Sequence, residues 1–229
     1  MTKRRVVVTG MGSVSPVGLN VPDAWQNVLA GKSGIGMIEH FDVSQFSVRI
    51  GGSVRGFDPT QIMSPKEAKK MDSFIHYGIA AGQEAIKDSG LEITEENADR
   101  IGVFISSGIG GIGTIESNYA KFEKSGPRRI SPFFVPASII NMISGNLSIM
   151  YGMKGPNLSI VTACATATHS IGDAARMIIY GDADVMITGG AENATSPVGL
   201  SGFASAKALS TRNDDPATAS RPWDQDRDG

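Results

Sequence analysis

The stretch Asn157–Glu192 constrains this chain more than any other. A short apolar run, a segment of helical period and a second apolar run follow one another there, with glycines at the joints. Leu158–Ser159–Ile160–Val161 is brief and β-branched, which predicts a buried strand. Ile171, Ala174, Ala175, Ile178 and Ile179 recur at helical spacing until Gly181–Asp182, and Val185–Met186–Ile187–Thr188 predicts the next strand, closed by Gly189–Gly190. The pattern is a strand–helix–strand unit, and the only cysteine of the chain, Cys164, falls at its strand-to-helix turn.

A thiol at that position faces unpaired N–H groups and the positive end of a helix dipole, which favour the nucleophilic thiolate. The small neighbours Ala163, Ala165 and Ala167 leave room for a substrate carbonyl above the sulfur. A free cysteine is also a common small hydrophobe of protein cores. Local sequence alone leaves both readings open.

Composition narrows the class. The 229 residues are 41% hydrophobic with a formal net charge of −2, an ordinary globular composition that does not point to nucleic acid as the main partner. One cysteine rules out an intrachain disulfide and fits a reducing, cytoplasmic compartment. Met1–Thr2–Lys3–Arg4–Arg5 is basic, but the apolar run after it reaches only Thr9–Gly10, too short for a secretory leader. No stretch has membrane-spanning length. The 28 glycines cluster at strand ends, as tight α/β turns require.

In chain order, Arg5–Thr9 predicts a first strand, and residues 22–30, with Trp25, Val28 and Leu29 on one face, a short helix stopped at Gly31. Residues 31–58 are loop-rich with short extended pieces. Ser64–Pro65–Lys66–Glu67 is a capping box with proline at the first helical position. It opens a helix whose inward stripe is Met71, Phe74, Ile75, Gly78, Ile79, Gly82, Ala85 and Ile86, ended by Ser89–Gly90. Ile101–Ile105 predicts a strand running into Ser107–Gly113, where Gly108, Gly110 and Gly113 have a GxGxxG spacing. A dinucleotide site also needs an acidic residue about 20 positions on, at a strand end. Ile130–Phe134 offers neither, so close approach of backbone or an acyl chain is the better reading of these glycines. Residues 136–152 predict a helix apolar on several sides, and the polar, turn-rich tail begins at Ser210. The alternation of strands and helices predicts a layered α/β domain with a mixed sheet.

Several motifs in order resemble one family. Arg128–Pro136, Thr162–Ala163–Cys164–Ala165–Thr166, Gly189–Gly190–Ala191–Glu192, Ala208–Asn213 and Ser220–Asp224 are similar to the bacterial β-ketoacyl-acyl carrier protein synthases over the whole chain. The resemblance implies a thiolase-like fold, a five-layered αβαβα sandwich paired as a homodimer, of which residues 1–229 are the N-terminal half. It implies acyl transfer from acyl carrier protein to Cys164, followed by decarboxylative Claisen condensation with malonyl carrier protein in fatty acid elongation. No cofactor and no metal are implied, since the substrates ride on the phosphopantetheine of the carrier protein.

The same resemblance implies site residues. Ile109 and Phe203 line the acyl pocket beside Cys164, with the partner subunit's Phe134 reaching in; plain core packing is the alternative for each. Lys66, Lys69, Lys70, Arg128, Arg129 and Lys207 form a basic rim for the acidic carrier protein, where a solvated charged face is the alternative for the 66–70 group. The family also uses two histidines to stabilise the enolate, yet His40, His76 and His169 stand in neither of its catalytic contexts. His169 lies five residues past Cys164, about 140° around a helix, and so points away from the sulfur. The family continues beyond Asp226–Gly229 into a further strand. The chain therefore reads as the nucleophilic portion of a synthase, incomplete for condensation alone. A shortened non-catalytic paralogue or partner-binding half-domain is the alternative, and a plain cysteine hydrolase is disfavoured because no base is placed for it.

Overall fold

The computed structural model describes residues 4–229, so Met1–Lys3 of the basic start lie outside the described residues. In chain order the elements are α1 (Val21–Leu29), β1 (Gly36–Met37), β2 (Ile50–Gly51), α2 (Pro65–Ala68), α3 (Ser73–Ser89), β3 (Ile101–Ser106), α4 (Ile112–Ser125), α5 (Phe134–Ser138), α6 (Met142–Tyr151), β4 (Asn157–Leu158), α7 (Thr166–Tyr180), β5 (Val185–Gly190), α8 (Pro197–Ser205) and α9 (Pro216–Ala219). They fall into two compact units: the chain up to Gly12 with Pro59–Asn193, and Ser13–Asp58 with Ala194–Gly229.

The first unit is an α/β/α layer set around a parallel sheet of order β4-β3-β5. β3 is buried along its whole length and pairs with β5 from Ile101↔Val185 to Ser106↔Gly190. Because strand side chains alternate between faces, Ile101, Val103 and Ile105 point one way, into a core with Phe74, Ile75 and Ile79 of α3 and Ile143 and Leu147 of α6. Ser106 points the other way and meets Ser170 of α7 at 2.8 Å. β4 and β5 thus lie on opposite sides of β3, and α7 carries the chain from one to the other.

Four expectations change here. Arg5–Thr9 forms no strand, and Val7 and Val8 stay 67% and 81% exposed, because a β-prone run becomes a strand only where a ladder partner meets it. The expected buried strand 158–161 is a two-residue edge strand with both residues exposed, and hydroxyl groups rather than ladder bonds tie down residues 159 and 160. The single helix expected from Ser64 to Ser89 breaks between α2 and α3. Ser64 does accept from Glu67 N–H, but Asp72 accepts from Phe74 N–H and starts a second helix. The helix expected over 136–152 likewise breaks between α5 and α6.

α3 and α6 pack closely because Gly78 and Gly82 offer no side chain to α6. A Cβ on Gly78 would lie 2.6 Å from Ile143 Cγ2, and Ile143 is fully buried. Gly78→Ala therefore loses stability despite alanine's higher helix propensity, by about 1–2 kcal/mol once overpacking is set against propensity. Urea unfolding should show a lower midpoint with an unchanged slope; an unchanged or higher midpoint would mean the helices separate at little cost.

The unit is also tied electrostatically at the α7–β5 turn. Asp184 bonds Arg100 Nε at 3.0 Å and Arg4 Nη1 at 2.5 Å. Hydrogen bonds from Arg100 first, then Arg4, pull its carboxyl down to about 2. A carboxylate with a depressed folded value stabilises the fold above its unfolded value near 3.9, and that contribution disappears as pH falls toward 2. Asp184→Asn should accordingly lower Tm at pH 6, with the gap from wild type closing between pH 4 and pH 2. A gap constant across that range would mean the ion pairs contribute nothing, as exposed pairs sometimes do.

The second unit pairs β1 with β2 antiparallel, Gly36↔Gly51 and Met37↔Ile50. Its small core is Ile38, Val48, Ile50, Leu200 and Ala219, with Phe41 and Phe46 edge to face beside it. Asn20 caps α1 through Asp23 N–H and Ser196 caps α8 through Gly199 N–H. The shared face of α1, Trp25, Val28 and Leu29, is exposed.

Candidate active site

Parallel strands open their ligand sites at their carboxyl ends, where the connections diverge. Three segments of the first unit gather at that edge: 107–113 after β3, 159–165 after β4 and 191–193 after β5. Cys164 sits in the second, exposed, in a 3₁₀ turn over Ala163–Ala165 that leads directly into α7.

This turn is held from behind. Ser106, fully buried at the end of β3, accepts from Ile160 N–H at 3.0 Å and from the Ser170 hydroxyl at 2.8 Å. One β3 hydroxyl thereby fixes the segment entering the turn and the helix leaving it. The Ser159 hydroxyl donates to Ile105 O at 2.9 Å. Thr162 N–H donates to Thr166 Oγ1 at 2.9 Å, and Ala165 N–H to Thr162 O at 3.1 Å. Between them Ala163 takes φ +51°, a left-handed conformation that costs an alanine about 1–2 kcal/mol. The strain turns the next residue outward, so the sulfur stands clear at the front of α7 with its own N–H in the turn that α-helical bonding leaves unpaired. The buried face of α7 is Thr166, Ser170 and Ala174, while Ile171 is half exposed. The reading of Cys164 as a packed core residue does not fit an exposed sulfur.

The glycine-rich loop lies against this turn. A Cβ on Gly108 would be 3.1 Å from Ala163 O and 3.0 Å from Glu192 Oε2; one on Gly110, which has φ +84°, would be 2.6 Å from Ser138 O. Backbone approaches backbone here, as expected of these glycines, and Ile109 projects between them 43% exposed. Phe134 opens α5 half-buried in the same unit. Phe203 belongs to the second unit, where it lines an apolar cavity of about 450 Å³ with Val48, Ile50, Leu200 and Leu209.

The basic residues divide as well. Lys66, Lys69, Arg128 and Arg129 are exposed on the first unit. Lys70 is drawn in, paired to Glu67 Oε1 at 2.6 Å with its ammonium 5.5 Å above the Phe133 ring, which places the 66–70 group beside the 128–133 segment. Lys207 lies on the second unit. Sequence reasoning missed α4 and with it Lys121 and Lys124, which border an open depression of about 480 Å³ together with Arg129. It also missed the role of Glu192: both carboxylate oxygens are engaged by the 107–110 loop.

No histidine is aimed at the sulfur by its hydrogen bonding. His169 Nδ1 lies 2.6 Å from Thr162 Oγ1. His76 Nε2 lies 2.9 Å from Ala68 O, and burial lowers its basicity; His40 Nε2 lies 2.7 Å from Thr195 O. Among the described residues no group of three His, Cys, Asp or Glu side chains is placed to hold a metal, and no helix is long and apolar enough to cross a membrane.

Against known proteins, residues 3–229 match the family model described as the N-terminal domain of β-ketoacyl synthase. The chain is 63% identical over 229 residues to 3-oxoacyl-[acyl-carrier-protein] synthase 2 of Vibrio cholerae serotype O1, covering 100% of this chain and 55% of that protein. It superposes on a β-ketoacyl synthase from Burkholderia phymatum with TM-score 0.87 at 28% identity, over 100% of this chain and 56% of that one. A second solved relative, a type II polyketide ketosynthase in complex with its acyl-carrier protein and bound to the hexaketide, gives TM-score 0.76 at 26% identity, over 91% and 56%. The chain spans about half the length of the curated relatives it matches.

Proposed function

The chain belongs to the β-ketoacyl synthase family and has its thiolase-like α/β fold, and on that premise we propose that Cys164 is the acyl-accepting nucleophile of a 3-oxoacyl-acyl carrier protein synthase acting in fatty acid elongation. The observation that carries the reading is the exposed Cys164 on a strained turn at the carboxyl edge of the sheet, braced by Ser106.

The thiolate attacks the carbonyl carbon of the acyl thioester on carrier-protein phosphopantetheine. The oxyanion of the tetrahedral intermediate takes a hydrogen bond from Cys164 N–H, and collapse expels the phosphopantetheine thiol. The acyl chain runs past Ile109, with the partner subunit's Phe134 completing the pocket in a homodimer. In a whole synthase malonyl carrier protein then loses CO₂, and the enolate attacks acyl-Cys164, breaking its thioester to release the β-ketoacyl product and the free sulfur; that step needs donors which this chain's histidines do not supply. The chain needs no cofactor of its own, because the substrate arrives covalently carried.

The acidic carrier protein docks on the basic edge of Lys66, Lys69, Lys70, Arg128 and Arg129, to which Lys121 and Lys124 add charge; such rims act mainly on association rate. Support for this partner comes from the solved ketosynthase that holds its acyl-carrier protein. A cysteine hydrolase reading is weaker, since His169 is bonded to Thr162 rather than to the sulfur. The test is intact-mass analysis of the chain after incubation with acyl carrier protein: one acyl group on Cys164 supports the proposal, and an unmodified chain overturns it.

A further inference from the structure

We propose that Glu192 is a positioning residue for the acyl pocket, its carboxylate holding the 107–110 backbone and so setting Ile109 beside the Cys164 turn. The inference rests on Cys164 being the acyl acceptor and Ile109 a wall of its pocket. Glu192 Oε1 accepts from the Ser107 hydroxyl at 2.9 Å and from Gly110 N–H at 3.3 Å, and Oε2 accepts from Ile109 N–H at 2.7 Å. Gly110 N–H also reaches Ser107 Oγ at 3.1 Å, so the hydroxyl relays the same hold. Three donors within four consecutive residues converge on one carboxylate more than 80 residues away in sequence.

The carboxylate is itself anchored. Ala191 N–H donates to Ser106 O at 3.0 Å and Asn193 Nδ2 donates to Ser73 Oγ at 2.6 Å, so the residues on both sides of Glu192 are tied to β3 and α3. Gly108 is wedged between Glu192 Oε2 and Ala163 O, which puts the carboxylate next to the strained residue preceding the nucleophile. At the far end of the loop Asp72 Oδ2 accepts from Thr114 N–H at 2.8 Å. Between these two carboxylates the segment carries two large side chains, Ile109 and Ile112, and it is Ile109 whose own N–H is held by Glu192. Both Glu192 oxygens are taken by donors, so its part is to place the loop rather than to move a proton. Glutamine offers one acceptor oxygen and turns a donor NH₂ toward the remaining donors.

Glu192→Gln tests this with two readouts on the full chain. Amide hydrogen exchange at Ile109 and Gly110 should accelerate at least about ten-fold while the β3 amides keep their protection. Loading of Cys164 from carrier proteins bearing short and long acyl groups should shift against the long ones by roughly ten-fold, because small displacements of a pocket wall are felt most where the chain must pass it. Alkylation by iodoacetamide, which needs no pocket, should stay within about two-fold of wild type.

Unchanged exchange at Ile109 and Gly110 overturns the inference, as does an unchanged chain-length ratio. A wild-type chain that loads no acyl group overturns the functional reading and the pocket role with it. Normal wild-type loading beside an unaltered Glu192→Gln profile overturns this inference alone. If Glu192→Gln does not fold, Ser107→Ala removes one donor and the Gly110 relay, and the same readouts apply.

Discussion

If Cys164 is the acyl acceptor proposed above, a chain carrying Cys164→Ala should take up no acyl group from acyl carrier protein, whereas the wild type should gain one per chain. The expected loss is large because the covalent step has no substitute: removing an enzyme's nucleophile costs on the order of 10⁶ in rate. The fold should tolerate the change. The Cys164 side chain is exposed, and the strain at Ala163 and the Ser106 bonds reside in other groups. Near-wild-type circular dichroism and Tm would separate chemistry from folding. A Cys164→Ala chain that still gains an acyl mass would place the acceptor elsewhere and remove the central claim about this turn. Wild-type labelling at a residue other than Cys164 on peptide mapping would do the same.

The location of the stabilising contacts decides how much of this was legible in the sequence. β3 and β5 were readable because Ile101–Ile105 and Val185–Thr188 are apolar, β-rich runs closed by glycine or serine, and each is paired along its length. The Cys164 turn was readable for the same local reasons. The run after Leu158 was not, because its place is set by the hydroxyls of Ser106, Ser144 and Ser159, and no periodicity encodes which serine will meet which carbonyl. The break at Lys69–Asp72 was hidden because Asp72 sits inside a continuous apolar stripe; only its bonds to Phe74 and Thr114 N–H show that it starts one helix and caps another.

α4 was missed although Ile112, Ile115, Tyr119 and Phe122 recur at helical spacing. Its lead-in is glycine-rich, and its buried residue is Asn118, which donates to Thr114 O and accepts from Ser131 N–H. A polar inner face looks like a surface to any pattern based on hydrophobicity. Glu192 shows the limit most plainly. The motif Gly189–Glu192 contributed to the family resemblance, but its glutamate acquires a role only when three donors from the 107–110 loop fold onto it. Had sequence spacing been the sole guide, Ile109 and Glu192 would have stayed unconnected.

The wild-type chain, given acyl and malonyl carrier proteins together, should form acyl-Cys164 but no detectable β-ketoacyl product. On the proposed reading, acyl transfer requires a nucleophilic sulfur and an oxyanion donor, and the Cys164 turn carries a thiol and a backbone N–H in one peptide. Condensation further requires donors aimed at the malonyl thioester oxygen while CO₂ departs, because the developing enolate is otherwise unstabilised. Losing a single such donor costs roughly 10²–10³ in rate, so lacking two places the step about 10⁴–10⁶ below a competent site. The chain has three histidines, and the structure commits each elsewhere: His169 to Thr162, His76 to Ala68 and His40 to Thr195. Burial lowers the basicity of His76 further. Mass analysis of the carrier-protein pool, with loss of labelled CO₂ from malonyl carrier protein monitored in parallel, reads both halves of the reaction. Product at a rate comparable to a full-length synthase would mean that a decarboxylating constellation exists among these residues after all. Acyl-Cys164 accumulating without CO₂ release would instead locate the missing function in donors that this chain's histidines do not supply.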